Sequence, residues 1–274
     1  MGERSQEACS VSDRDSVVTS PSISLVIPAY NEELRISKAL TAYVQLLESF
    51  SLPYEVIVIS DGNDDTPGVA ERFRSRGVAC YSYPRKLGRG GAIFEGFRKA
   101  QHSIIAFADA DASVPASDAG KILSAVISGE PAAIASRRLL PDVVQVPETA
   151  TRRLVGLGWH ILVRALLGLP VKDAQCGFKA FRRDVVKEVI LRRVTVTNRT
   201  FEVGMLYHIA SAGYHIAELP VRYTHDFDTR MPIVKAIPVM FLTLLGMFIF
   251  NVLLSGTAEP PKLVLELNSR FSST

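Results

Sequence analysis

Short apolar runs alternate with longer segments of helical spacing through the first half of the chain. Ile23-Ser24-Leu25-Val26-Ile27 is an apolar run stopped at Pro28, and Glu55–Ile59, Val78–Tyr83, Ile104–Ala108 and Ala132–Ser136 repeat the pattern. Each run is long enough for a buried strand and too short for an independent helix. The segments between them predict helices. One runs from Glu32 to Ser49, capped by Asn31, with Leu34, Leu40, Val44 and Leu47 near helical spacing. A second is capped by Thr66, with Pro67 at a first position that tolerates its missing N–H. Gly88–Ala100 and Pro115–Ser128 are the next two. Strand–helix alternation of this kind predicts an α/β fold: a mostly parallel twisted sheet flanked by helices, with right-handed crossovers.

The second half is less regular. Arg152–Leu167 reads as a basic amphipathic helix and Phe178–Phe181 as a short strand, with Asp184 capping the helix that follows. Glu202–Ala212 reads as a helix ended by Gly213, His215–Tyr223 as a strand with apolar–polar alternation, and Asp226–Lys235 as a loop. Ala236 to Ala258 then carries no charge. A membrane span needs about 20 mostly apolar residues, so this run predicts a transmembrane helix; a helix lying in the membrane interface or buried in the core is the alternative. Arg230 and Lys235 precede it, which by the positive-inside rule places the catalytic domain on the cytoplasmic face. The expected organisation is a disordered polar N-terminus over 1–21, one domain over 22–230, a membrane-associated helix over 231–256 and a short tail over 257–274.

Composition narrows the class. Of 274 residues 47% are hydrophobic and 22% charged, so a packed core is expected, and a net charge of +3 gives no footprint for nucleic acid. Three cysteines, Cys9, Cys80 and Cys176, lie far apart without metal-ligand spacing; an odd count fits a reducing compartment. Residues 1–20 contain no apolar signal-peptide core.

The polar signals fall at strand ends. Pro28-Ala29-Tyr30-Asn31-Glu32 follows the first strand and Ser60-Asp61-Gly62 the second. A basic glycine loop ending Gly88-Arg89-Gly90-Gly91 follows the third, Asp109-Ala110-Asp111 the fourth, and Ser136-Arg137-Arg138 the fifth. Ligands of open α/β sheets bind outside the carboxyl ends of the strands. Carboxylates there can hold a hard cation beside substrate phosphates, arginines can grip phosphate bidentately, and glycines let backbone amides approach an anion. The convergence predicts a nucleotide-diphosphate site. A dinucleotide-binding oxidoreductase is disfavoured, because its glycine loop follows the first strand rather than the third.

With Asp173-Ala174-Gln175-Cys176-Gly177-Phe178-Lys179 added, the series resembles the inverting family-two glycosyltransferases of GT-A fold, and among them the dolichyl-phosphate mannose and glucose synthases. The resemblance covers about 22–230. It implies that Pro28, Tyr30 and Glu32 line a nucleoside pocket, that Asp61 contacts the base, and that Asp109 and Asp111 hold Mg²⁺ or Mn²⁺ against the diphosphate. It places Arg89 where the family usually has lysine. Arg137 and Arg153 become phosphate ligands in the catalytic set. Lys179, Arg222 and His225 fall on the substrate side. Asp173 is an orienting or basic group, or a structural one that fixes the turn through Lys179. Three positions depart from the pattern: Ser60 replaces the first acid of Asp-Asp-Gly, Ser113 stands where mannose synthases place a metal-binding glutamine, and Gly204 replaces the second acid of Phe-Asp-Val-Glu. The implied partners are a UDP- or GDP-hexose, a polyprenyl or dolichyl phosphate, and membrane lipid. A family-two enzyme extending a glycan, or a membrane-anchored interaction protein on a degenerate fold, are the rival expectations.

Overall fold

A computed structural model describes residues 20–139, 150–194 and 200–224, together with 241–249 apart from 243 and 247. The expected disordered N-terminus, loop 226–235, tail and most of the charge-free run lie outside the described residues. Among those described, no helix is long and apolar enough to cross a membrane.

The apolar runs form strands almost where the pattern puts them: β1 Ile23–Ala29, β2 Tyr54–Ser60, β3 Val78–Ser82, β4 Ile104–Ala108 and β5 Ala132–Ser136. β6 Phe178–Arg182 and β7 Ile216–Pro220 complete a sheet of order β3-β2-β1-β4-β6-β5-β7. β1 pairs in parallel with β2 and β4, β2 with β3, and β5 with β7; β6 lies antiparallel between β4 and β5. Helices α1 Ile36–Ser49, α2 Thr66–Glu71, α3 Gly88–Lys99, α4 Ala116–Ile127, α5 Ala150–Leu167, α6 Leu191–Arg193 and α7 Phe201–Ser211 flank it, and a π-helical turn over Val185–Ile190 leads into α6.

Side-chain alternation along each strand divides the core in two. Leu25, Ile27, Val56, Val58, Ile104 and Ala106 pack with α1 and α4 on one face. Val26, Ile57, Ile59, Ile105 and Phe107 pack with α3 and α7 on the other. The reversed strand matters most for the site. Phe178 at the start of β6 sits opposite Ala108 at the end of β4. The segment before β6 therefore reaches the edge where the parallel strands end.

Three expected caps do not cap, because each side chain bonds another partner. α1 starts at Ile36 rather than Glu32. Asn31 takes a left-handed φ of 57°, and its side-chain oxygen accepts the Asn63 N–H at 2.8 Å instead of capping a helix. Thr66 is the first residue of α2 rather than its cap. Its hydroxyl accepts the Glu32 N–H at 2.9 Å and donates to Asp64 at 2.6 Å, tying the loops after β1 and β2 together. Asp184 makes no cap hydrogen bond and pairs with Arg182 at 2.8 Å.

α3 lies close on the sheet because Gly96 faces Val26. A Cβ at Gly96 would overlap both γ-carbons of Val26, a fully buried β-branched residue with no room to turn. Gly96→Ala is expected to destabilise the fold by about 1–3 kcal/mol through overpacking. Thermal unfolding checks this, at roughly 2–4 °C per kcal/mol for a domain of this size; an unchanged midpoint would mean that α3 is not seated on β1 as described.

Candidate active site

The edge at the carboxyl ends of the parallel strands carries the polar side chains. Pro28 is inside β1, Tyr30 just beyond it is 42% exposed, and the Lys86 ammonium lies 4.6 Å from the Tyr30 ring centroid. Glu32 pairs with Arg35 at 2.8 Å. Asp61 is 6% exposed, and one oxygen accepts the N–H groups of Leu87 and Gly88 at 2.7 and 2.8 Å. It thereby stitches the glycine loop to the end of β2 and places an acid at the positive end of α3. Asp61 therefore has a structural role beside the base contact expected of it, and its second oxygen has no partner among the described residues. Gly88 adopts φ 69°, a left-handed turn that glycine makes at no steric cost.

Asp109 follows β4, its N–H donating to the Gly177 carbonyl at 3.1 Å. Its Oδ1 accepts from Arg89 Nε at 2.9 Å, and Arg89 Nη2 lies 2.8 Å from the same oxygen in the ion pair. Arg89 Nη1 reaches Glu202 at 3.0 Å, and Glu202 accepts from Lys179 at 2.8 Å. Lys179 has no exposed surface and also donates to the Cys176 carbonyl at 2.7 Å. Both cations expected on the substrate side thus face carboxylates of the protein: Lys179 is wholly enclosed, while the Arg89 side chain stays 32% exposed. Glu202, whose role the altered Phe-Glu-Val-Gly segment left open, is the acid that joins them. Burial pushes the Glu202 carboxyl up, but Arg89 and Lys179 outweigh that and hold it below the ordinary value. Burial raises Asp109; Arg89 opposes the shift, and the like charges of Asp111 and Glu202 add to it.

Of the alternatives for Asp173, the geometry favours the orienting and structural ones over the base. Its two oxygens clamp Arg137, from Nε at 2.7 Å and Nη2 at 2.8 Å, and accept the Arg137 backbone N–H at 3.0 Å. Burial raises the carboxyl, and the guanidinium more than reverses this, holding it at about 2. Such a group is a poor base and a good orienting one. Glu218 fixes it from behind, accepting the N–H groups of Lys172 and Asp173 at 2.8 to 3.0 Å. Tyr223 covers the guanidinium at 4.9 Å. Arg137 Nη1 has no partner among the described residues. Sequence reading missed Glu218 and Tyr223; the only signal for Glu218 was an acid in the alternating pattern of β7.

Arg222 bonds Asp118 at 3.0 Å and the Ser117 hydroxyl at 2.7 Å, and so joins the segment after β7 to α4. His225 and the side chain of Arg153 lie outside the described residues.

Among the described residues no group of three or more His, Cys, Asp or Glu could enclose a metal ion. The two acids nonetheless suit a hard cation that keeps waters and substrate phosphates as its other ligands. Asp109 gives Oδ1 to Arg89 and keeps Oδ2. Asp111 accepts the Ser113 N–H with Oδ1 at 2.9 Å and keeps Oδ2. Their mutual repulsion, which raises Asp109, is what a cation would relieve. Ser113, at the position of the usual glutamine, is 3% exposed, and its carbonyl accepts the Thr224 N–H at 3.0 Å. Gly177 leaves the space: a Cβ there would overlap Asp109 Oδ2.

A family model described as Glycosyl transferase family 2 matches residues 24–190, well over half of the chain. The chain belongs to that family. Glycosyltransferase AglD of Haloferax volcanii is 35% identical to it over 222 residues, covering 78% of this chain and 35% of AglD. The dolichyl-phosphate beta-glucosyltransferase of Drosophila melanogaster is 30% identical over 234 residues, covering 79% of this chain and 72% of that relative. The family 2 chain thus spans about a third of AglD and most of the fly protein. Glucosyl-3-phosphoglycerate synthase from Mycobacterium tuberculosis, solved with Mn²⁺, UDP and phosphoglyceric acid, matches with a TM-score of 0.58 at 19% identity, covering 84% of this chain and 78% of that one. At that identity the likeness carries the fold, which is GT-A-like.

The Asp173–Arg137 clamp has a pH signature. Its carboxyl is depressed in the folded state, so its contribution to stability is present above the unfolded value of about 4 and is lost as pH falls through about 2. That loss is about 2–3 kcal/mol, from a fall of the carboxyl from 3.8 to about 2 at roughly 1.36 kcal/mol per pH unit. Asp173→Asn is expected to cost about 3–5 kcal/mol at pH 7, since it strands Arg137. The wild-type advantage should shrink below pH 4 in denaturant titrations of both proteins; an advantage that stays constant down to pH 2 would contradict the clamp.

Proposed function

We propose that this chain transfers a hexose, with glucose favoured over mannose, from a nucleotide-diphosphate sugar to dolichyl or another polyprenyl phosphate at a membrane surface. The observation that carries the reading is the pairing of two unlike charge clusters on one edge. Asp109 and Asp111 each keep an oxygen for a cation, and Arg137, oriented by Asp173, keeps Nη1 for an anion. Tyr223 lies between them: burial, then the charges of Asp109 and Asp111, raise its hydroxyl to about 12 while Arg137 opposes them. A donor diphosphate on the acids and an acceptor phosphate near Arg137 fit that division. Curated relatives named dolichyl-phosphate beta-glucosyltransferase support the acceptor and the sugar. A β product from an α-linked donor is an inversion. The neighbour solved with Mn²⁺, UDP and a phosphorylated acceptor supports cation use.

An acceptor phosphate is already an anion at neutral pH, so the reaction needs little help from a base, in keeping with an Asp173 that is held ionised and fully bonded. Catalysis then rests on positioning and on charge stabilisation of the departing diphosphate. Mg²⁺ or Mn²⁺ held by Asp109 and Asp111 supplies the Lewis-acid stabilisation of that leaving group. Arg137 orients the attacking oxygen and balances the acceptor's charge. Asp61 holds the glycine loop, and Tyr30 offers an exposed ring beside the nucleoside end.

Membrane association rests on the charge-free run 236–258, within which Leu244 is buried against the core while Phe241, Leu242 and Ile249 are 40–50% exposed. We place the domain on the cytoplasmic face, where Arg230 and Lys235 flank the run.

Transfer from labelled UDP-glucose and GDP-mannose to a polyprenyl phosphate in detergent, with and without Mn²⁺, tests the reading. A lipid-extractable product from UDP-glucose is expected, with turnover lowered by about 100-fold or more in Asp111→Ala. Product formed on glycan acceptors and not on the lipid phosphate would move the acceptor assignment. Absence of any transfer would remove the reading.

A further inference from the structure

Behind the cation edge the charges alternate in an unbroken line: Asp109, Arg89, Glu202, Lys179. The inner pair is deeply buried, with side-chain exposures of 5% for Glu202 and 0% for Lys179. Arg89 is held between Asp109 and Glu202, with the Phe107 and Phe201 ring centroids each 5.6 Å from its guanidinium. Desolvating the inner pair is expensive, and apolar residues of like volume would often serve stability as well. The line ends on one oxygen of the acid that the cation edge needs. We infer that Glu202 and Lys179 are positioning residues which, acting through Arg89, fix which oxygen of Asp109 is presented to the cation and how strongly it binds.

The inference rests on the cation edge proposed above and adds its control. Arg89 takes Oδ1 from two nitrogens, so Asp109 is offered through Oδ2 alone. Glu202 shares the charge of Arg89 and prevents it from neutralising Asp109 fully. Lys179 balances Glu202. The four charges sum to zero, which leaves Asp111 to set the net charge of the edge. A unit change anywhere along the line should therefore be felt at the cation, with opposite signs for the two inner residues.

Mn²⁺ titration of the full chain, alone and with UDP, with free Mn²⁺ read by electron paramagnetic resonance, tests this without reference to turnover. Glu202→Gln adds a net positive charge and should weaken Mn²⁺ binding by about tenfold. Lys179→Met removes one and should tighten binding by roughly threefold. The charge-balanced double variant should bind within about threefold of wild type, and it keeps the test available if a single variant fails to fold. A folded Glu202→Gln protein with wild-type affinity, or a double variant weakened more than about tenfold, would overturn the inference. Asp111→Ala separates the two levels. If it abolishes Mn²⁺ binding while Glu202→Gln leaves binding intact, only the control by Glu202 and Lys179 fails. If wild type binds no Mn²⁺, or Asp111→Ala changes nothing, the cation edge fails with it.

Discussion

The ion pair between Arg89 and Asp109 is the constraint on which the rest of the edge depends. Asp109 sits at the end of β4, where the flanking segment before β6 closes in and burial would push its carboxyl toward the neutral form. Arg89, raised well above its ordinary value despite burial, keeps a positive charge against it. That pair in turn requires Glu202, which requires Lys179, so a demand at one strand end is passed through α3 and α7 to the start of β6. Gly177 completes the constraint by leaving the free oxygen of Asp109 uncovered.

A second cluster repeats the logic with the opposite outcome. At Arg137 the carboxylate is the support and the guanidinium is the group presented. Glu218 holds the Asp173 segment, Asp173 holds two nitrogens of Arg137, and Tyr223 covers the plane. One edge therefore offers carboxylate oxygen in one place and a guanidinium N–H in another. Both are held by bonds formed before any ligand arrives, which is the form of preorganisation that charge-stabilised transfer needs.

Much of this was legible in the sequence. Five apolar runs gave the strands through β5, with β4 and β5 matching residue for residue, because a strand buried on both faces is written as a continuous apolar run. Strand-end motifs gave the edge, since topology brings the ends of parallel strands together. The roles of individual charges were not legible. Arg89 and Lys179 carry the residue types of phosphate ligands, and only the fold shows that both pair with carboxylates of the protein. Asp173 and Arg137 lie 36 positions apart, and nothing local announces that they form a clamp. Asn31 and Thr66 have the chemistry of helix caps, and each was claimed by a loop from another strand. β7 lacked a strong apolar run, and it emerged shorter than its alternating pattern, half-buried along its length.

The most direct measurement is a crystal structure of the chain with UDP and Mn²⁺. The account predicts the diphosphate at the carboxyl edge, with Mn²⁺ on the free oxygens of Asp109 and Asp111 and with Arg89 still bonded to Asp109 and Glu202. A nucleotide bound away from that edge, or Arg89 released from Asp109 to grip the phosphates, would contradict it.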